Sequence, residues 1–361
     1  MKFFDHLFKT SDSNYYGVSG LSTELSCLYV YNSFLACQKG SVVVANSLYE
    51  ANLLYTKLLH YTDRVLFFPM DDFITSEAIA ISPEFKSERI HTINTIFSDN
   101  SYIVVTNLMG ILRYLPKKSI WGKNILSISK GDTFDRDSFV ARLYDMGYER
   151  ESIVTETGKI GVRGYVIDVF PIGLDNPIRI EFWGDEVDSI KTFDLETQLS
   201  LDEIDNIKIY PYTEFLIDEY NDSVDRKQKY LKYYSDKIGS LWEYMGNETV
   251  FYYDYNQIEE GYRLLRETIL EYDNDSVSDI KTEYMYDLKD ISFNKEIFLM
   301  NFDNILVNIK LNFEDKYVSN TPYNYNGNIE LIKNDLAKYS LQKKTVILCV
   351  DSEKTIIICC I

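Results

Sequence analysis

The sequence predicts an α/β protein in which a parallel sheet carrying helices is interrupted by a β-rich insert of different architecture. Three observations carry this. Short apolar, β-branched runs alternate with helical patterns through the first third of the chain, the βαβα order of a parallel sheet. Three closely spaced strands with tight-turn residues follow, the mark of an antiparallel meander. Helix-and-strand alternation then returns after Pro211.

Taken in order, Ser41–Ala45 is a buried-type strand, and Ser47 with Glu50 has capping-box spacing ahead of Leu48, Ala51, Tyr55, Leu58 and Leu59, so a helix follows. Arg64–Phe68 and Tyr102–Thr106 are further strand runs, separated by Ser82–Phe97, a stretch long enough for a helix. Pro116, Lys117 and Lys118 break the pattern before a short strand at Ile125–Ile128. Asp135–Met146 is expected to be helical, with Phe139, Leu143 and Met146 on one face and Gly147 as its stop. The meander comprises Tyr165–Phe170, Ile178–Trp183 and Val187–Phe193, joined by PIGLDNP and by the pair Gly184-Asp185. Val250–Tyr253 is a strand and Gln257–Leu270 a helix. Thr321–Gly327 reads as a linker, Ile329–Tyr339 as a helix and Thr345–Val350 as a strand, in a tail of about 35 residues that is too short for its own core. The expected layout is therefore 1–115 and 211–320 as two parts of one α/β lobe, 116–210 as the insert, and 321–361 as a linker with the start of a third domain. The terminal IIICCI would be an awkward exposed end, so the chain is expected to stop inside that domain.

Composition narrows the function. At 361 residues two or three domains are expected, and 45% hydrophobic with 26% charged residues suits folded protein. A formal net charge of -19 argues against a broad nucleic-acid surface, because phosphate binding needs clustered Lys and Arg. No run approaches the roughly 20 apolar residues of a membrane helix, and the opening MKFFDHLFKTSDSNYYG is too polar for a signal peptide. A cytoplasmic protein without a membrane partner is expected. Cys27, Cys37, Cys349, Cys359 and Cys360 show no metal-type spacing and suit reduced thiols, and His6, His60 and His91 lie far apart, so no metal site is expected.

A working phosphate-binding loop needs glycines whose amides cradle phosphate, a lysine to neutralise it and a hydroxyl for magnesium. GVSGLSTEL, Gly17–Leu25, keeps Gly17, Gly20 and the hydroxyls of Ser22 and Thr23, but has no lysine and adds Glu24. The bland alternative is a plain loop before a helix. A strand ending in Asp254-Tyr255 supplies one carboxylate where a hydrolase needs two. No other catalytic constellation appears, and acidic stretches such as Asp202–Asp205 are solvated faces.

Alternation along Ile178–Trp183 turns Ile178, Ile180 and Phe182 one way and Arg179, Glu181 and Trp183 the other. An exposed arginine beside an indole is a hot-spot composition. Arg163, entering the neighbouring strand, is placed to approach Arg179 and complete a cationic patch for an acidic partner. The alternative is that both arginines pair with Glu181, Asp168 or Asp185 on a solvated face, and that Trp183 caps a small core.

The segment VRGYVIDVFPIGLDNPIRIEFWGDEVDSIKTFDLETQLS, Val162–Ser200, resembles the signature domain shared by the nucleotide-excision protein UvrB and the bacterial transcription-repair coupling factors. FFPMDDFITSEAIAISPEFKSERIHTINTI, Phe67–Ile96, and GYER, Gly147–Arg150, resemble the coupling factors in particular. The resemblance implies a degenerate, P-loop-type helicase-like lobe holding an inserted UvrB-interaction domain. It further implies a non-catalytic docking module that recruits UvrA to stalled transcription in nucleotide excision DNA repair. It places UvrA contacts at Arg163, Arg179 and Trp183, with Glu181 on the same face, and Trp183 stands where the family usually has Phe. ATP and Mg, like RNA polymerase and DNA, belong by resemblance to family domains that do not fit in this chain. This chain would be an N-terminal piece lacking the translocase and its ATPase, with a UvrA face that the full family masks until the motor engages. Two rival expectations are an ATP-dependent helicase fragment that retains nucleotide binding, and a nonfunctional remnant.

Overall fold

The computed structural model describes residues 7–8, 13–72, 82–216, 236–275, 283–300, 306, 309–319, 323 and 325–344. The first third alternates as expected: β1 (Tyr15–Ser19), α1 (Thr23–Cys37), β2 (Ser41–Ala45), α2 (Leu48–Leu59), β3 (Val65–Phe68), α3 (Pro83–Ser98) and β4 (Ile103–Asn107). Helix starts are set locally. Ser22 and Ser82 accept backbone N–H groups at the heads of α1 and α3, and Ser47 and Glu50 close a reciprocal capping box on α2.

The chain then runs through α4 (Leu108–Ile111), β5 (Leu115–Pro116), α5 (Lys118–Lys123), β6 (Leu126–Ser129) and α6 (Arg136–Asp145). The β-rich part follows as β7 (Glu149–Arg150), β8 (Lys159–Arg163), β9 (Val166–Val169), β10 (Ile178–Trp183), β11 (Glu186–Phe193), β12 (Ser200–Glu203) and β13 (Asn206–Ile209). After it come β14 (Ile238–Gly239), α7 (Leu241–Tyr244), β15 (Thr249–Tyr253), α8 (Tyr255–Asp275), β16 (Lys295–Met300) and β17 (Phe313–Lys316). Among the strands of four residues or more, β1, β8, β12, β13, β16 and β17 are additions to the sequence expectation.

Seven strands form one parallel sheet in the order β17-β1-β16-β15-β2-β4-β3. Its two flanks come from distant parts of the chain, because β15, β16 and β17 join β1 to β4 only after the meander has been completed. Both faces are covered, so alternate residues of each strand enter different cores. Val42, Val44, Val104 and Phe298 pack on one side, and Val43, Ala45, Val105 and Ile297 on the other. This two-sided burial is why the strands read as unbroken apolar runs.

A second sheet runs β12-β11-β10-β9-β8-β7, antiparallel except where β7 lies parallel to β8. One face holds Ile160, Ile167, Val169, Ile178, Ile180, Phe182 and Ile190 against Phe139, Leu143 and Met146 of the α6 segment. The ribbon of β6 with β13 adds Leu126, Ile128 and Ile209 to the same core. Gly147, at φ +89°, turns the chain out of α6 as expected of a helix stop.

A buried charge cluster fastens the chain leaving the β-rich part to α3 and the segment after α4. Glu214, just beyond β13, accepts four bonds: Arg89 Nε at 3.0 Å and Nη2 at 3.1 Å, and Arg113 Nε at 3.1 Å and Nη2 at 2.9 Å. Arg89 comes from α3 and Arg113 from the segment after α4, and all three side chains are buried.

Residues 319–361 form a separate unit. Its helix α9 (Ile329–Leu341) is capped by Asn328, and Tyr325 donates to Asp335 at 2.8 Å. The expected strand Thr345–Val350, the terminal IIICCI with Cys349, Cys359 and Cys360, and His6 lie outside the described residues. Cys27 is a buried free thiol and Cys37 an exposed one.

Candidate functional site

The face of the meander opposite α6 carries the arginines singled out in the sequence. Strand alternation holds along β10: Ile178, Ile180 and Phe182 are buried in the α6 core, while Arg179, Glu181 and Trp183 stand on the other side. Register puts Asp168 of β9 opposite Arg179 and Gly161 of β8 opposite Asp168, with Arg163 of β8 opposite Val166. One row across the sheet therefore joins β8, β9 and β10 through Asp168.

Asp168 is 1% exposed and takes both arginines. Its Oδ1 accepts from Arg179 Nε at 2.7 Å, and its Oδ2 accepts from Arg179 Nη2 at 3.0 Å and from Arg163 Nη2. The hydrogen bonds and charge of Asp168 push the Arg179 guanidinium further up in pKa, so it is a permanent cation. Arg179 also donates through Nη1 to the Gln198 carbonyl at 3.2 Å, and its guanidinium lies 4.6 Å from the centre of the Phe193 ring.

The two arginines are not equivalent. The Arg179 side chain is 15% exposed, whereas that of Arg163 is 49% exposed. Pairing with Asp168, one of the alternatives read from sequence, is thus realised for both, yet it consumes most of Arg179 and little of Arg163. The idea that Trp183 caps a small core is corrected: the indole is 82% exposed, at the mouth of the Gly184 turn. A small core does exist on this face, but it is built from Val154, Phe170 and Phe193 under Arg179. Phe193 and Phe170 share the outward face with Asp168 and Arg179, so the expectation of one core face and one presented face holds only for the end of the sheet near Trp183.

Glu181 lies between Arg179 and Trp183 on β10. It accepts from Lys191 Nζ at 2.7 Å and Ser189 Oγ at 2.5 Å, both on β11, and these bonds hold its carboxyl below the usual range. The strip from Arg163 through Asp168, Arg179 and Glu181 to Lys191 alternates in sign, with three cations to two carboxylates, in a chain of net charge -19. Asp168 was one of three carboxylates weighed as partners of the arginines, whereas Ser189 and Lys191 were not separable from other surface residues in the sequence. The signal for them was the same alternation, extended to the neighbouring strands once their register is known.

The place of a phosphate loop is built differently from the sequence expectation. Gly17 lies inside β1, between Met300 and Leu311, and not in the turn. Gly20, at φ +80°, makes the turn, and a methyl group there would sit 1.9 Å from the carbonyl oxygen of Tyr317, whose N–H bonds Ser19 O. Ser22 is spent as the cap of α1, Thr23 Oγ1 shares a 2.9 Å bond with the Tyr253 hydroxyl, and Glu24 pairs with Lys57 at 2.7 Å. Asp254, at the end of β15, accepts from Gln257 Nε2 at 2.7 Å. This donor set does not fit a magnesium nucleotide: Lys57, which reaches the head of α1 from α2, is taken by Glu24, and the Ser22 and Thr23 hydroxyls are engaged. Among the described residues no group of three or more His, Cys, Asp or Glu is placed to hold a metal ion, and no helix is long and apolar enough to cross a membrane.

Comparison with known proteins bears on the same region. Residues 126–215, from β6 to the residue after Glu214, match the UvrB interaction domain. The chain is 33% identical over 217 residues to the transcription-repair-coupling factor of Staphylococcus haemolyticus, 60% of this chain and 18% of that protein. It is likewise 33% identical over 202 residues to that of Staphylococcus epidermidis, 55% of this chain and 17% of that protein. For Staphylococcus aureus the figures are 33% over 204 residues, 56% and 17%. The chain thus spans less than a fifth of the length of these relatives.

Proposed function

We propose that this chain, which carries the UvrB interaction domain and is kin to the transcription-repair-coupling factors, is a non-catalytic docking module that recruits UvrA in transcription-coupled nucleotide excision repair. The observation that carries the reading is the outward face of the meander. It combines a half-free guanidinium at Arg163 with an exposed indole at Trp183, on strands whose other face is locked into a core. Such a pair gives forked hydrogen bonding to a carboxylate and a large apolar anchor, the composition of an interface hot spot. Arg179 and Glu181 belong to the same strip but are already bonded within it, so they shape the face.

The partner surface that fits is acidic, with an apolar recess for the indole. Binding of purified UvrA to the chain tests this. Trp183→Ala and Arg163→Ala are each expected to cost roughly 2 kcal/mol of binding. Unchanged affinity in both would remove the face from any role in docking.

The reading involves no nucleotide. Its support is the turn at Gly20, pressed against a backbone carbonyl and lacking a lysine. Calorimetric titration with magnesium-ATP is expected to give no micromolar binding, and such binding would restore the helicase-fragment reading.

A further inference from the structure

Among the described residues Asp168 is the one fully buried carboxylate on this face, and its side chain bonds both arginines of the docking strip. A guanidinium carries five N–H donors in a rigid plane. Arg179 spends two on Asp168 and one on the Gln198 carbonyl, and lies against Phe193. Arg163 gives Asp168 a single bond through Nη2 and keeps half of its side chain in solvent.

We infer that Asp168 is the positioning residue of the docking face: it pins one corner of the Arg163 guanidinium beside Arg179, so that Arg163 offers its remaining N–H groups to a partner carboxylate as a preset fork. Arg179 is then the platform and Arg163 the contact. This rests on the docking function proposed above, with UvrA as the partner. The physical gain is entropic, because a long side chain already held in its bound geometry loses less freedom on association. The arrangement also has an electrostatic cost. A negative charge in the strip weakens the attraction for an acidic partner.

These two effects give Asp168→Asn opposite signs. If the strip worked by net charge alone, removing the carboxylate would tighten UvrA binding. Positioning requires the reverse: a loss on the order of tenfold, as for one or two side chains set free. The loss is expected in the dissociation rate, with association unchanged or faster because the face has gained positive charge. Coupling separates positioning from mere structural support. Arg163→Ala should cost markedly less in the Asp168→Asn background than in the native chain, since the fork is already lost there.

Because Asp168 is buried, Asp168→Asn is checked by its thermal unfolding midpoint, and Arg163→Lys provides a test at an exposed position. Lysine keeps the charge but has no fork, so Arg163→Lys is expected to bind UvrA as poorly as Arg163→Ala. Full affinity in Arg163→Lys, tighter binding in Asp168→Asn, or additive losses in the double variant would each overturn the positioning role while leaving the docking function standing. A native chain that does not bind UvrA at all would overturn both.

Discussion

Trp183 and Arg179 project from the same strand toward the same side, yet their surroundings assign them different work. The indole lies almost wholly in solvent, so its removal should leave stability within about 0.5 kcal/mol, and any effect on binding is an effect on the interface. Arg179 covers Phe193 and supplies two of the three bonds to Asp168. Arg179→Ala is therefore expected to destabilise the chain by about 2 kcal/mol or more, by leaving a buried carboxylate with one partner and a small core uncovered. Arg163→Ala should cost under about 1 kcal/mol, as for an exposed ion pair. Chemical unfolding of the two variants checks the order, and equal destabilisation would contradict the division into platform and contact. A loss of UvrA binding in Arg179→Ala must accordingly be read against its unfolding curve.

At the scale of single elements, local chemistry was legible wherever the deciding partners lie within a few residues. The capping box of Ser47 and Glu50 and the stop of α6 at Gly147 both formed as their spacing required. Strands β1 and β17 were not legible. YYGVS carries a glycine in mid-strand, and β17 is only four residues long; β1 is a strand because it lies between β16 and β17, and β17 because it finds β1, neighbours nearly the whole chain away. The turn at Gly20 shows the same dependence, since its positive φ is paired with the close approach of Tyr317. Gly20→Ala combines a strained backbone with a clash against a carbonyl, so a cost of about 2 kcal/mol or more is expected, measured by the thermal midpoint. A variant as stable as the native chain would mean that β17 does not press on this turn.

Across the molecule, the cluster of Arg89, Arg113 and Glu214 ties the α3 side of the parallel sheet to the end of the segment matching the UvrB interaction domain. Burial alone pushes the Glu214 carboxyl up, but the two guanidiniums outweigh it and hold the group down at about 2. Since this lies below the ordinary value of 4.5, the stabilisation is fully present above about pH 4.5 and is lost as the pH falls towards about 2. Glu214→Gln should cost about 3 kcal/mol or more at neutral pH, because two buried cations lose their counter-charge. The variant should also lose less stability than the native chain between about pH 4.5 and 2. Unfolding midpoints across that range decide it, and parallel curves for the two proteins would show that Glu214 does not carry the coupling. None of the three residues stood out as a cluster in the sequence, because two arginines and one glutamate so far apart look like ordinary surface charges until folding excludes water from them.

By itself the sequence determined the α/β class, the antiparallel meander, the capping box of α2 and the stop of α6, the side of β10 on which Arg179, Glu181 and Trp183 stand, and the lack of a lysine at the Gly20 turn. These depend on periods of two or about four residues and on side chains that bond their own backbone nearby. Only the tertiary structure decided the order of the seven strands, the sharing of Asp168 by two arginines, the unequal exposure of those arginines and the carbonyl against Gly20. Each of these is a sum over neighbours from distant segments, as in the bond from Ser19 to Glu314, and no local pattern encodes which neighbours will be present when water is excluded.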